Sequence, residues 1–172
     1  MMLRFLLLGL GLGLGLALIT TASAEDAALQ ALLDTHDPPP GVVFELVQND
    51  PEALQTLLPY IQDSIGRLQA RHPGIGIAVV THGNEQFSLS RQQQGARQDL
   101  HEAVQSLVRE RQVEVAVCAT YASWRQVTPE DFPDYVQVAE SAPARINDFR
   151  QLGYKVIRLR PPGAKQPEVE DF

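Results

Sequence analysis

The chain has 172 residues and a formal net charge of −7 at pH 7, with 14 Lys and Arg against 21 Asp and Glu. An acidic chain with no dense basic patch repels phosphate backbones, which argues against a nucleic-acid partner. A single cysteine excludes an intrachain disulfide and any dithiol redox turnover within the chain.

Residues 1–24 read as a secretory signal peptide. Arg4 supplies the positive start, Phe5 to Ile19 is an unbroken apolar run, and Ala22-Ser23-Ala24 is a small-residue cleavage site. The alternative is an uncleaved anchor, but the run is diluted by glycine and short for a span of ~20 residues. No cysteine adjoins the cleavage site, so the chain is not a lipoprotein. The expected location is periplasmic or secreted, with no stable membrane span after cleavage.

Beyond the cleavage site, residues 25–35 predict a short, marginal helix. His36 to Gly41 carries three consecutive prolines and reads as a linker, so that 25–41 forms a helix and Pro-rich lead-in to a domain at 42–160. Val42 to Val47 is a buried first strand. Asn49 or Asp50 is placed to cap a helix whose apolar stripe is Leu54, Leu57, Leu58, Ile61, Ile65 and Leu68. Pro59 lies within that stripe and predicts a kink or a split.

Ile75 to Thr81 is a second strand, ending at His82-Gly83-Asn84. Glu85 to Gln94 reads as a polar, irregular loop anchored by Phe87 and Leu89, with one helical turn. A second stripe helix follows over 97–111, and Val113 to Val117 is a strand that runs straight into Cys118. A short helix is expected over 120–126, then an acidic, Pro-containing loop and a strand at Tyr135 to Ala139. Ser141 caps a last helix that Gly153 stops, and Tyr154 to Leu159 is the fifth strand. Residues 161–172 are expected to be a disordered acidic tail. Strict alternation of strands and helices predicts an α/β domain with a parallel sheet covered by helices.

Cys118 is the residue around which function is read. A thiol at the carboxyl end of a strand, with a helix starting next, stands where α/β sheets carry out chemistry. Amides of that helix would favour a thiolate, which can attack sulfane sulfur or a disulfide in another protein. The competing reading is a small buried residue that closes the strand. His82 also follows a strand. If its strand neighbours that of Cys118, the two face one crevice and His82 serves as base or charge partner; otherwise it is a histidine bonded in a turn. Trp124 and Arg125, shortly after Cys118, are candidates to cover or neutralise an anionic sulfur substrate, or are packing and a surface charge. No P-loop, G-x-S-x-G or strand followed by G-x-G-x-x-G is present. His36, His72, His82 and His101 are scattered without metal-ligand spacing, so no cofactor or metal is expected. A small-ligand or metal site between His82 and Cys118 is the remaining alternative.

Three stretches together resemble the DsrE/DsrF-like family, sulfur-relay proteins that include the TusD type. They are Val79-Val80-Thr81-His82-Gly83, then Val113 to Thr120 around Cys118, and finally Val127 to Phe132 with Tyr135 to Val138 and Gly153 to Ile157. The resemblance covers about residues 42–160. It implies a three-layer α/β/α sandwich with a five-stranded parallel sheet, and assembly into homotrimers or multiples of them. It also implies a persulfide carried on Cys118 and passed to a partner, with a sulfur donor or acceptor protein as that partner. On this reading His82 assists Cys118, while Gly83, Ala119, Thr120, Trp124 and Arg125 form the substrate-binding surroundings. Many relay members have an Arg-Gly pair shortly after the cysteine, where this chain has Trp124-Arg125-Gln126. The familiar relay proteins are cytoplasmic, whereas this chain carries an export signal. The second expectation is a non-catalytic homo-oligomeric binding or assembly module in which Cys118 is structural.

Overall fold

A computed structural model describes residues 23–160. The apolar part of the expected signal peptide and the expected tail at 161–172 lie outside the described residues. Among those described, no helix is long and apolar enough to cross a membrane.

The elements are α1 (Ala24–Asp34), β1 (Gly41–Leu46), α2 (Ala53–Arg71), β2 (Gly76–Thr81), α3 (Gln98–Arg111), β3 (Glu114–Cys118), α4 (Ala119–Ser123), β4 (Gln137–Ala139), α5 (Ala142–Gln151) and β5 (Lys155–Leu159). Short 3₁₀ segments cover Asn84–Leu89, Arg91–Gln93 and Pro129–Asp131. All strand pairs are parallel, in the order β4-β3-β2-β1-β5. The expected five-stranded parallel sheet in a three-layer α/β/α sandwich is what the chain forms.

The order of strands explains the layers. From β1 to β4 the chain steps in one direction across the sheet, and then β5 returns to the far side of β1. Right-handed crossovers place helices of forward steps on one face and the helix of the return on the other. The face carrying α1, α2 and α3 holds the larger core, around Phe44, Leu46, Ile61, Ile65, Val79, Val117 and Leu159. The opposite face carries α5 alone, over Val43, Ala78, Val80, Ala116 and Cys118. Two alanines in that short list let Ile146 and Phe149 of α5 settle close to the strands.

Four local expectations change. Pro59 neither ends nor splits α2, which runs unbroken through it. Proline removes one donor to the carbonyl four residues back, and that carbonyl belongs to Gln55 on the helix's exposed face. The buried stripe from Leu54 to Leu68 holds the helix together across the gap. Neither Asn49 nor Asp50 is the N-cap of α2: Glu52 holds that position without a side-chain cap, and Asp50 accepts from the Glu52 amide at 2.9 Å just ahead of the helix. α4 stops at Ser123, because Gln126 takes a positive φ of 59° and turns the chain away. The stretch after β2 is a pair of 3₁₀ segments with Glu85, Gln86, Ser88 and Leu89 buried, and not a solvated loop.

The N-terminal helix is also more than a lead-in. Leu29 is 2% exposed and Leu32 is buried beside it, both in the main core. Ser23 caps α1 by accepting from the Asp26 amide. The His72 ring, at the end of α2, bonds the Leu32 carbonyl at 2.8 Å. Leu29→Ala is expected to lower unfolding free energy by about 3 kcal/mol, measured as a fall in the urea midpoint with an unchanged slope. An unchanged midpoint would mean that α1 contributes no core.

Candidate functional site

β2 and β3 are neighbours, and their last pair is Thr81 with Val117. Past Thr81 the chain leaves the sheet, so Cys118 pairs with Ala139 of β4 on one side and has no strand on the other. Gln86 fills that place. Its Oε1 accepts from the Cys118 amide at 2.8 Å and its Nε2 donates to the Cys118 carbonyl at 3.4 Å. A fully buried side-chain amide thus replaces one rung of the missing ladder and fixes Cys118 at the sheet's carboxyl end.

The Cys118 side chain faces α5 and the residue is 4% exposed. Its sulfur accepts from two backbone amides, Tyr121 in α4 and Ala142 at the start of α5, both at 3.5 Å. The expected amide support is therefore present, from two helices and not one.

His82 lies just beyond β2, with its amide donating to the Leu46 carbonyl at 3.1 Å. Its ring Nε2 lies 3.1 Å from Glu45 Oε1, on β1. No hydrogen bond joins His82 to Cys118 among the described residues. Glu45 in turn accepts from Arg158 Nε at 3.1 Å and Nη2 at 3.0 Å. Burial alone would raise the Glu45 carboxyl, but the hydrogen bonds from His82 and Arg158 outweigh it and hold the carboxyl at about 2. Neither Glu45 nor Arg158 was singled out in the sequence. Glu45 sits in a strand that reads as apolar, and its partners are 37 and 113 positions away.

Gly83 has a steric reason to be glycine. A Cβ there would lie 2.4 Å from the Gln48 carbonyl oxygen and 2.5 Å from its amide nitrogen. Beside it Glu85, fully buried, accepts from the Gly83 amide at 2.9 Å, the Gln48 amide at 2.8 Å and the Thr81 hydroxyl. Gly83 and Glu85 therefore weld the loop after β2 to the end of β1. Thr120 has a similar role, as its amide and hydroxyl both donate to the Glu140 carbonyl. Ala119 opens α4 and is half-buried.

Trp124 and Arg125 stand elsewhere. Arg125 Nη2 donates to Asn84 Oδ1 at 2.9 Å, and its guanidinium lies 5.9 Å from the Phe87 ring centre. Trp124 is 72% exposed and meets Tyr121 edge-on, with ring centres 5.5 Å apart. Arg125 lines a cleft of about 540 Å³ with Asn84, Phe87, Ser90, Gln126 and Asp131, and Cys118 does not line it. The structure thus does not bring the predicted residues together: Cys118 packs under α5, His82 bonds Glu45, Arg125 lines this cleft and Trp124 lies exposed against Tyr121. Tyr121 reaches both Cys118 and the cleft: its amide donates to the Cys118 sulfur and its hydroxyl to Asn84 Oδ1 at 2.9 Å. Among the described residues no group of three His, Cys, Asp or Glu side chains is arranged to hold a metal. His101 is engaged internally. Burial pushes its imidazole down, and its two nitrogens meet the Ser88 carbonyl and the Tyr135 hydroxyl.

No protein-family model matches the chain. No curated protein matches it either. A solved structure, a protein of unknown function (MTH1491) from Methanobacterium thermoautotrophicum, is similar with a TM-score of 0.55 and 20% sequence identity, covering 69% of this chain and 97% of that one. Likeness at that identity shows the shared fold alone.

Two outcomes follow from this geometry. Gln86→Ala leaves a buried amide and carbonyl of Cys118 unpaired and is expected to cost about 2–4 kcal/mol, read by chemical denaturation. Glu45 ionises in the folded chain at about 2 against an ordinary 4.5, so its contribution is complete above the higher value and is lost as pH falls toward the lower. Glu45→Gln should therefore flatten the decline of Tm between those two pH values, checked by thermal melts across that range.

Proposed function

We propose that this protein handles sulfur outside the cytoplasm, with Cys118 accepting sulfane sulfur and carrying it as a persulfide. The observation that carries this reading is the sulfur's setting. It lies at the carboxyl end of a parallel sheet and accepts two backbone N–H groups from two separate helices. Such donors suit an electron-rich sulfur, whether a thiolate or the inner atom of a persulfide. The resemblance to DsrE/DsrF-like proteins around Cys118 and His82-Gly83 supports the same reading. The signal-like segment at 1–24 supports action in the periplasm or the medium, and assembly into homotrimers or multiples belongs to the same proposal.

With thiosulfate as donor, the Cys118 thiolate attacks the outer sulfur. A new S–S bond forms to Cys118, the old S–S bond breaks, and sulfite leaves with its electron pair. Charge is conserved and no external oxidant is required. The nearly buried thiol favours a small donor over a bulky one. Arg125, which donates to the same Asn84 Oδ1 as Tyr121, lines the neighbouring cleft and suits an approaching anion.

The burial of Cys118 among Val43, Ala78, Val80 and Ala116 favours a second reading, a binding or assembly module in which the thiol only packs. Intact mass measurement after incubation with thiosulfate or polysulfide separates the two. The sulfur-carrier reading expects one added sulfur atom that a reductant removes and that Cys118→Ser abolishes. No added mass, together with a native thiol that resists alkylation, would leave the packing role in its place.

A further inference from the structure

The cleft of about 540 Å³ beside Arg125 is built from the connections that leave the carboxyl ends of three strands. Pro51 follows β1, Phe87 and Ser90 follow β2, and Arg125 and Asp131 follow β3. Parallel α/β sheets bind ligands at that end, and the volume is within the range of small-molecule sites.

Two lining residues carry opposite charges, Arg125 and Asp131, and among the described residues neither forms an ion pair. Arg91, Arg97, Arg145 and Arg158 differ, since each is paired with a carboxylate. Both cleft charges are nevertheless held in place, by neutral partners. Arg125 Nη2 donates to Asn84 Oδ1 at 2.9 Å, and its guanidinium lies over Phe87. Asn84 is itself locked, because Oδ1 also accepts from the Tyr121 hydroxyl and Nδ2 donates to the Asn49 carbonyl, each at 2.9 Å. Asp131 Oδ2 accepts from the Thr128 amide at 2.8 Å and from its hydroxyl at 3.1 Å. Those two bonds hold the Asp131 carboxyl below its ordinary range. Arg91 does not compensate it, being bound to Asp134 and to the Glu130 carbonyl. Neutral hydrogen bonds orient a charge without cancelling it. Arg125 Nε and Nη1 and Asp131 Oδ1 have no protein partner among the described residues.

We propose that this cleft binds a small zwitterion, a free amino acid or short peptide, whose carboxylate meets Arg125 and whose ammonium meets Asp131. The proposal goes beyond the persulfide chemistry at Cys118 and does not depend on it. A simple anion held at Arg125 leaves Asp131 unmatched, and a simple cation at Asp131 leaves Arg125 unmatched. A molecule bearing both charges satisfies both, each through charge-assisted hydrogen bonds. Phe87, Pro51 and Val127 offer apolar surface to a ligand side chain, and the Gln92 and Gln93 amides suit its remaining polar groups. Both charges are open to solvent, so binding is expected to weaken with added salt.

The test is calorimetric titration of the purified protein with L-leucine and with L-alanyl-L-leucine, beside the N-acetylated and C-amidated forms of each. Saturable binding of at least one zwitterion is expected, with its blocked forms weaker by about tenfold or more. The tighter of the two parents distinguishes an amino-acid site from a peptide site. Arg125→Gln should erase the advantage of the zwitterion over its C-amidated form, and Asp131→Asn its advantage over the N-acetylated form. Arg125→Lys should keep part of the wild-type affinity. Arg125 is exposed, and an asparagine oxygen at 131 still accepts from Thr128, so both variants are expected to fold. Should Asp131→Asn not fold, the N-acetylated probe on wild type tests the same contact. No saturable binding of either zwitterion, or a blocked form that binds as tightly as its parent, would overturn the proposal. Binding indifferent to both substitutions would overturn it as well, by placing the ligand elsewhere.

Discussion

The handedness of the crossovers governs where everything else in this molecule lies. Forward steps from β1 to β4 put the long helices on one face, and the return to β5 puts α5 on the other. Because α5 starts directly after β4, its first amide arrives at the end of β3 and meets the Cys118 sulfur. The same return brings β5 alongside β1, which delivers Arg158 to Glu45. A sheet with β5 added beside β4 would keep every element and lose both contacts.

Around the carboxyl edge, side chains do what strands do elsewhere. β2 ends before β3, and the exposed edge of Cys118 is completed by the amide of Gln86. Glu85 closes the neighbouring gap by taking two backbone amides and a hydroxyl. Buried polar groups are costly unless their hydrogen bonds are met, and here each is met by backbone that would otherwise be unpaired. The result is a rigid platform on which one thiol and one imidazole are fixed from behind, and His82 remains the less confined of the two.

The chain of hydrogen bonds from Arg158 through Glu45 to His82 is better understood as orientation than as stability. Glu45 is nearly buried while Arg158 is half exposed, and an ion pair in such a setting recovers little beyond its desolvation cost. Its consequence is specific: Glu45 is held ionised, and the histidine beside it is oriented through Nε2. Among the described residues Cys118 does not line the cleft at Arg125, and Tyr121 reaches both, its amide donating to the Cys118 sulfur and its hydroxyl to Asn84 of the cleft.

Period and punctuation in the sequence were enough to determine the elements themselves. The strands at Val42, Ile75 and Val113 are apolar runs, the α2 and α3 stripes repeat at helical spacing, and Ser141 and Gly153 mark the bounds of α5. The place of Cys118 at a strand end was legible for the same reason, since it depends only on local pattern. Tertiary structure alone decided the rest. Glu85 and Gln86 look like loop residues because their partners are backbone groups from other strands. Glu45 reads as an interruption in an apolar strand because its partners are His82 and Arg158, brought together by strand order. Trp124 and Arg125 follow Cys118 closely in sequence, yet Arg125 bonds Asn84 and lines a separate cleft while Trp124 lies exposed against Tyr121. Local periodicity carries no information about which strand lies beside which, and the meeting of Arg158 with Glu45 follows from that order.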